Sequence, residues 1–346
     1  MSIWLTRAGS HGEYEQKFLS ESRVYLTWDG LAHNLGVLKS RGDLDALLGS
    51  TYPDAKNRTR INWAGQIWKF AKEIQKGDLV AIPLKSQRAI QIGEVLGDYA
   101  FDAKAADPYY HSRQVKWLGD AIPRDQFDQD LLFSLGAFMT VCRIERNDAE
   151  ARIKKILGKG GKANKAAAKI APAAKSTEQV EDEECSPDFA ELAEDQITKL
   201  ISQRFKGHKL TLLIDGILQA QGYTTWRSPE GADGGVDILA GSGPLGFGSP
   251  RLCVEVKSGD DKVDRPTVDK LLGAMQKFNA NEGLFVSWSG FKGNVQKELA
   301  QSFFRVRLWS QQDILQQLFA SYERLDDKLK AEIPLQRIWA LVPPEE

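Results

Sequence analysis

Residues 234–257 read GGVDILAGSGPLGFGSPRLCVEVK, and the rest of the chain is best approached from here. Val236 and Ile238 flank Asp237 on one run, while Leu252, Val254 and Val256 alternate with Cys253, Glu255 and Lys257 on the next. Successive side chains of a strand point to opposite faces, so this period of two predicts two strands joined by a glycine-rich turn. Glu255 and Lys257 then project from one face, and Asp237 joins them if the strands pair. Two carboxylates are hard oxygen donors suited to Mg²⁺, and an ammonium beside them can position or deprotonate a water or stabilise a charged transition state. An isolated Glu-x-Lys would carry little weight, because alternating charge on a strand is usually a solvated face.

The flanking sequence adds weight. Upstream stand Asp233, Gly234, Gly235 and Asp237; downstream, Leu271-Leu272-Gly273-Ala274-Met275 reads as a helix. Gly283-Leu284-Phe285-Val286-Ser287-Trp288, then Gly290-Phe291-Lys292, reads as a strand and turn. Over residues 186–320 this order resembles the Mrr-like branch of the PD-(D/E)xK restriction endonucleases. The resemblance implies an α/β/α restriction-endonuclease-like sandwich that hydrolyses phosphodiester bonds of double-stranded DNA with Mg²⁺, or Mn²⁺ in its place. Asp237 and Glu255 would hold the metal, the Val256 carbonyl between the working side chains would add a ligand, and Lys257 would orient the attacking water. Enzymes of this branch commonly carry a Glu near the start of the helix preceding the Gly-Tyr pair, here Gly222-Tyr223. That position falls at about Thr211, with Leu210 beside it. Glu194 or Glu191 from the preceding helix, or Gln276 off the apolar stripe of the following one, are candidate accessory residues. Lys292 is a candidate phosphate contact.

Around this core, helices and strands alternate. Ser186-Pro187-Asp188 is a helix start with Ser as N-cap and Pro at the first helical position, and Phe189, Leu192, Ile197, Leu200 and Ile201 form its stripe. A helix over 210–221 stops at Gly222, a strand follows over 223–226, and Asp264-Arg265-Pro266 opens a helix with Val268, Leu271, Leu272, Met275 and Phe278 on one face. Strands over 284–288 and 306–309, a helix over 294–302, another from Asp313 and a helical tail over 321–346 complete the half. Such βα alternation predicts helices on both faces of a sheet.

Residues 1–147 are richer in aromatics and short β-like runs: 3–6, 24–28, 79–83, 89–97, 115–117 and 139–144. Ile61, Ala64, Ile67, Trp68, Ala71 and Ile74 recur at helical spacing, and Leu44 to Leu48 reads as a second helix. Five or more strands with one or two helices predict a small, partly closed β-barrel. Trp63, Trp68, Gly77-Asp78-Leu79-Val80, Gly93-Glu94-Val95 and Gly97-Asp98-Tyr99 resemble PUA-like folds of the EVE kind. Those modules read bases and stand before the nuclease in some modification-dependent restriction enzymes. The resemblance implies an extruded base held between aromatic faces, with Trp28, Trp63, Tyr99, Tyr109 and Trp117 as candidate walls and Arg7, Arg60 and Arg113 near phosphates. For each aromatic taken singly, barrel core is the stronger reading. His111, after Pro108-Tyr109-Tyr110, is placed in a loop ahead of a strand. Residues 148–185 form a linker: a short amphipathic helix through Leu157, a Lys/Ala/Gly/Pro tether, and the acidic run Glu181-Asp182-Glu183-Glu184.

Bulk properties agree. At 346 residues two domains are the natural expectation, and a formal charge of −1 means any DNA-binding surface is a local basic patch. Three well-separated cysteines suggest neither a disulfide framework nor a zinc knuckle. No signal peptide or membrane-length apolar run is visible, so the cytoplasm is the expected compartment. No P-loop pattern appears, so intrinsic ATP hydrolysis is not expected. Cutting both strands needs two sites, hence a homodimer at least during cleavage. The expected function is modification-dependent, type IV-like restriction. Alternatives are a repair or general anti-phage nuclease without modification dependence, a non-catalytic nucleic-acid-binding protein, and a protein-interaction scaffold.

Overall fold

A computed structural model of the chain describes residues 2–137, 139–145, 147–158, 189–229, 235–293, 295 and 302–339. The chain divides into two units, one ending at Asp195 and one running Gln196–Trp339. The first holds β1 (Ile3–Thr6), β2 (Arg23–Leu26), β3 (Leu79–Leu84), β4 (Ala89–Val95), β5 (Ala100–Phe101), β6 (His111–Trp117), β7 (Ile122–Pro123) and β8 (Val141–Ile144). Its helices include α1 (Glu15–Glu21), α2 (Arg41–Thr51), α3 (Asn57–Trp68), α4 (Gln129–Leu135) and α5 (Ala149–Gly158). The sheet runs β2-β6-β4-β3-β1-β8, with β5 added to β6 and β7 to β4, and curls as a half-barrel. β1 and β3 are parallel; the other pairs are antiparallel.

Alternation explains why β1 and β3 read as continuous apolar runs. Trp4, Val80 and Ile82 pack with Phe18, Leu44 and Ile67 on one face. Ile3, Leu5, Leu79 and Ala81 pack with Leu131, Leu135 and Ile153 on the other. A sheet covered on both faces has no solvated register to mark with polar residues. Ser40 and Asp43 close a reciprocal capping box at the start of α2. α3 widens into a π turn over Lys69–Glu73, where the buried Arg113 guanidinium donates to the Phe70 carbonyl at 2.8 Å and the Ala71 carbonyl at 3.1 Å. α5, expected as the opening of the linker, packs Ala149 and Ile153 into the first unit's core.

The next helix, α6, spans Phe189–Arg204; the second unit continues with α7 (His208–Ala220), β9 (Thr224–Arg227), β10 (Ile238–Ser242), β11 (Gly248–Lys257), α8 (Arg265–Lys277), β12 (Glu282–Ser287), β13 (Val306–Trp309), α9 (Gln311–Ser321) and α10 (Asp327–Glu332). The sheet order is β13-β12-β11-β10-β9. β9, β10 and β11 pair antiparallel, and β11, β12 and β13 pair parallel. On one face Leu213 and Ile217 of α7 and Ile314 and Leu318 of α9 meet Ile238, Val254, Val256 and Val286. On the other, Val268, Leu271 and Met275 of α8 meet Cys253, Phe285 and Val306. Each such buried aliphatic contributes about 1.5–3 kcal/mol, so the sandwich, not helix propensity, holds β11 in place.

The expected helix over 294–302, the start signal Ser186-Pro187-Asp188, the tether from 159 onward, and Asp233 with Gly234 fall outside the described residues, apart from Val295 and Ser302. Among the described residues no helix is long and apolar enough to cross a membrane.

Candidate active site

Asp237 immediately precedes β10. Its N–H donates to the Val254 carbonyl and its own carbonyl accepts from Ser228 N–H, both at 2.9 Å, so its main chain is tied on two sides. The register pairs Ile238 with Val254; one step further sets Asp237 opposite Glu255, and antiparallel partners share a face. The Asp237 carboxylate accepts from Val256 N–H at 2.7 Å. On β11 the Lys257 ammonium lies 2.8 Å from Glu255 Oε1. The Glu255 side chain is 9% exposed and that of Lys257 48%, which shelters the carboxylate and leaves the ammonium within reach of a ligand. Asp237, Glu255, Val256 and Lys257 thus meet at the junction of β10 and β11.

Asp237, Val256 and Lys257 form one wall of a cleft of about 370 Å³. The cleft is also lined by Gly207, His208 and Thr211 at the start of α7, by Ser228 and Pro229 after β9, and by Ser258 and Gly259 after β11. Another depression of about 350 Å³, bordered by Leu252, Glu282 and Val306, opens at the other end of β11 and holds none of the expected chemistry. The donors at the Asp237 wall are two carboxylates and a main-chain carbonyl, hard oxygens whose chemistry fits a divalent cation such as Mg²⁺. Among the described residues no group of three or more His, Cys, Asp and Glu is arranged to hold a metal.

The accessory candidates have partners and positions of their own. Gln276 is exposed in the last turn of α8, whose following residues lead back to Arg251 and Glu282, the end of the sheet remote from Lys257. A right-handed crossover returns the chain to the start of the next parallel strand, which is why a helix's C-terminal turn lies away from the C-terminal end of the strand before it. Glu194 belongs to the first unit and is ion-paired to Arg88. Glu191 is buried beside Arg124, Lys85 and Arg7; burial would raise its pKa, but these cations hold it below the usual carboxylate range. Lys292 lies 4.0 Å from Asp264, whose carboxyl is held low by the hydroxyl and N–H of Thr267. α7 does carry a buried acid, Asp215, one turn beyond Thr211. It is bound to Arg227 at 3.0 Å and to Gln219 at 3.1 Å.

Sequence reading missed the α7 terminus itself. Its signal was the basic run Arg204-Phe205-Lys206-Gly207-His208-Lys209 ahead of the helix. Gly207 adopts φ +58°, a left-handed conformation that glycine takes without strain, and its N–H donates to Ser258 Oγ at 2.9 Å.

In the first unit, Trp28, Trp63, Tyr99, Tyr109 and Trp117 all pack, partly buried, against the core. Trp117 Nε1 donates to the Leu19 carbonyl, Tyr109 meets Tyr14 and Tyr25 edge-on, and Trp63 meets Tyr52 edge-on at 5.3 Å. Tyr99 Oη accepts from Leu35 N–H at 3.1 Å and lies 2.7 Å from His111 Nδ1. His111 opens β6 with no exposed surface, not a loop, and burial lowers its pKa to about 4. Arg7 and Arg113 are buried and engaged with main-chain carbonyls, so neither is available to a phosphate; Arg60 reaches Asn57 at 3.5 Å.

Comparison with known proteins supports the second unit's assignment. Residues 202–318 match Mrr_cat, described as a restriction endonuclease, and residues 2–140 match DUF8426, a domain of unknown function. No curated protein matches the chain. Among solved structures, the MspJI restriction endonuclease in complex with a 27-mer oligonucleotide is 14% identical, over 92% of this chain and 75% of that one, with a TM-score of 0.32. The DNA modification-dependent restriction endonuclease AspBHI is 17% identical, over 96% and 84%, also at 0.32. Residues 202–318, within the second unit, are therefore similar to the restriction endonuclease family Mrr_cat.

Proposed function

We propose that the chain is a Mg²⁺-dependent DNA endonuclease that restricts foreign DNA bearing modified bases, its first unit selecting the substrate. The observation that carries the nuclease reading is Asp237 set opposite Glu255, with Lys257 paired to Glu255 on the edge of an open cleft. Asp237, Glu255 and the Val256 carbonyl would hold Mg²⁺, or Mn²⁺ in its place. Such an ion, when bound, polarises a phosphoryl oxygen and lowers the pKa of a coordinated water. Lys257 orients the attacking water and offsets the charge that accumulates on phosphorus oxygens in the transition state. The Val256 N–H holds the Asp237 carboxylate in one orientation, so it is ready without reorganisation.

Selection of modified bases is supported by the resemblance of the first unit to base-reading modules. Cleavage of both strands is assigned to a homodimer formed at least while cutting, and the expected compartment is the cytoplasm, where incoming DNA is met. Plasmid and phage DNAs of differing base modification, incubated with the full chain in Mg²⁺ or in EDTA, provide the test. Cutting of modified DNA in Mg²⁺ alone is the expected result. No cutting of any DNA, together with no effect of Lys257→Ala on restriction in cells, sinks the reading.

A further inference from the structure

We infer that the α7 side of the cleft is a phosphate-binding subsite, in which the Thr211 and Ser258 hydroxyls and the His208 N–H at the start of α7 grip a backbone phosphate beside the one being cut. It rests on the nuclease reading only for the identity of the polymer. Thr211 is 4% exposed, yet it forms part of the cleft lining. Among the described residues its hydroxyl has no hydrogen-bond partner, although a helical threonine commonly bonds back to a carbonyl one turn earlier, as Thr51 does here to Leu47. The residue is buried but its hydroxyl opens onto the cleft, where water or a ligand completes its hydrogen bonding.

The surroundings favour an anion. α7 runs thirteen residues, its N-cap is glycine and no side chain caps it, so the positive end of the helix dipole and the His208 N–H border the cleft, while the Lys209 and Leu210 N–H groups donate to the Lys206 and Gly207 carbonyls. Ser258 Oγ accepts from Gly207 N–H, which leaves its own hydroxyl proton to donate. His208 is exposed and lines the cleft, and among the described residues Asp237 is the one acid of the lining. Lys206 and Lys209, exposed on either side of Gly207-His208, add positive charge along a path a polyanion would follow. The cleft therefore combines oxygens suited to a cation, from Asp237, with donors suited to a phosphate, from Thr211, Ser258 and the start of α7.

The test uses the full chain and a fluorescently labelled DNA duplex in EDTA, where binding is read by anisotropy without cleavage. Thr211→Val keeps shape and removes the hydroxyl; it should weaken binding roughly tenfold, the effect of one hydrogen bond to a charged oxygen. Thr211→Ser should restore it, and inorganic phosphate should compete less well against duplex binding in the valine variant. In Mg²⁺ the valine variant should raise KM more than it lowers kcat. Thr211→Val binding as wild type, or losing kcat with binding unchanged, overturns the subsite. Should the valine variant not fold, Thr211→Ala compared with Thr211→Ser gives the same contrast. If no DNA is cut under any condition while binding still depends on Thr211, the nuclease reading falls and the subsite stands. If cutting needs Asp237, Glu255 and Lys257 while Thr211→Val binds normally, the reverse holds.

Discussion

Acidification should unload the first unit through one buried imidazole. His111 has no exposed surface, and its Nε2 lies 2.7 Å from the Leu31 carbonyl, which can only accept, so Nε2 carries the proton. Nδ1 then accepts from Tyr99 Oη at 2.7 Å, and a second ring proton would have to displace that bond. Burial, with the nearby His33 adding to it and the Leu31 carbonyl opposing, lowers the pKa from 6.5 to about 4. The folded state thus resists protonation that the unfolded chain accepts, and the contribution is complete above pH 6.5 and lost as pH falls to about 4. At about 1.4 kcal/mol per pKa unit the whole window is worth about 3 kcal/mol, of which about 2.5 kcal/mol disappears between pH 7.5 and 4.5. Urea unfolding of the full chain at those two pH values, with amide exchange in β6 as the local probe, measures it. His111→Gln, which cannot titrate, should lose about 2.5 kcal/mol less than wild type over the same interval. Equal losses in the two proteins would refute the reasoning, because no other group would then distinguish them.

Lys257→Ala, Glu255→Gln and Asp237→Asn should each lower single-turnover cleavage by about 100-fold or more while the protein stays folded; an alanine variant at 257 retaining half the wild-type rate would remove Lys257 from the chemistry. Arg124→Ala should cost about 3 kcal/mol in urea unfolding, since Arg124 grips the buried Asp195 through Nε at 2.9 Å and Nη2 at 2.6 Å and its loss strands that carboxylate; a change under about 0.5 kcal/mol would mean Arg88 suffices. Cys253 is fully buried and burial pushes its thiol up to about 11, so iodoacetamide at pH 8 should label it only after unfolding, as mass spectrometry of the native and denatured chain would record.

The local order of residues was enough to set Asp237, Glu255 and Lys257 on one face, because the period of a strand is intrinsic to its backbone and a glycine-rich turn brings neighbouring strands together. The same logic located α7, its stop at Gly222, which takes φ +96°, and the capped start of α8 at Asp264. It could not say which helix end abuts which strand end. That depends on crossovers and packing between residues far apart in sequence: topology sends Gln276 to the remote edge of the sheet, and Arg88 holds Glu194 in the first unit. Polar residues that fold inward misled for a related reason, since His111 and Arg113 are buried by partners tens of residues away, Leu31 and Phe70, that no local pattern announces. Thr211 shows the division most plainly. Its place in the helix could be counted from the sequence, but only the packing of α7 against β10 and β11 brings its hydroxyl to the cleft that Asp237 and Lys257 share.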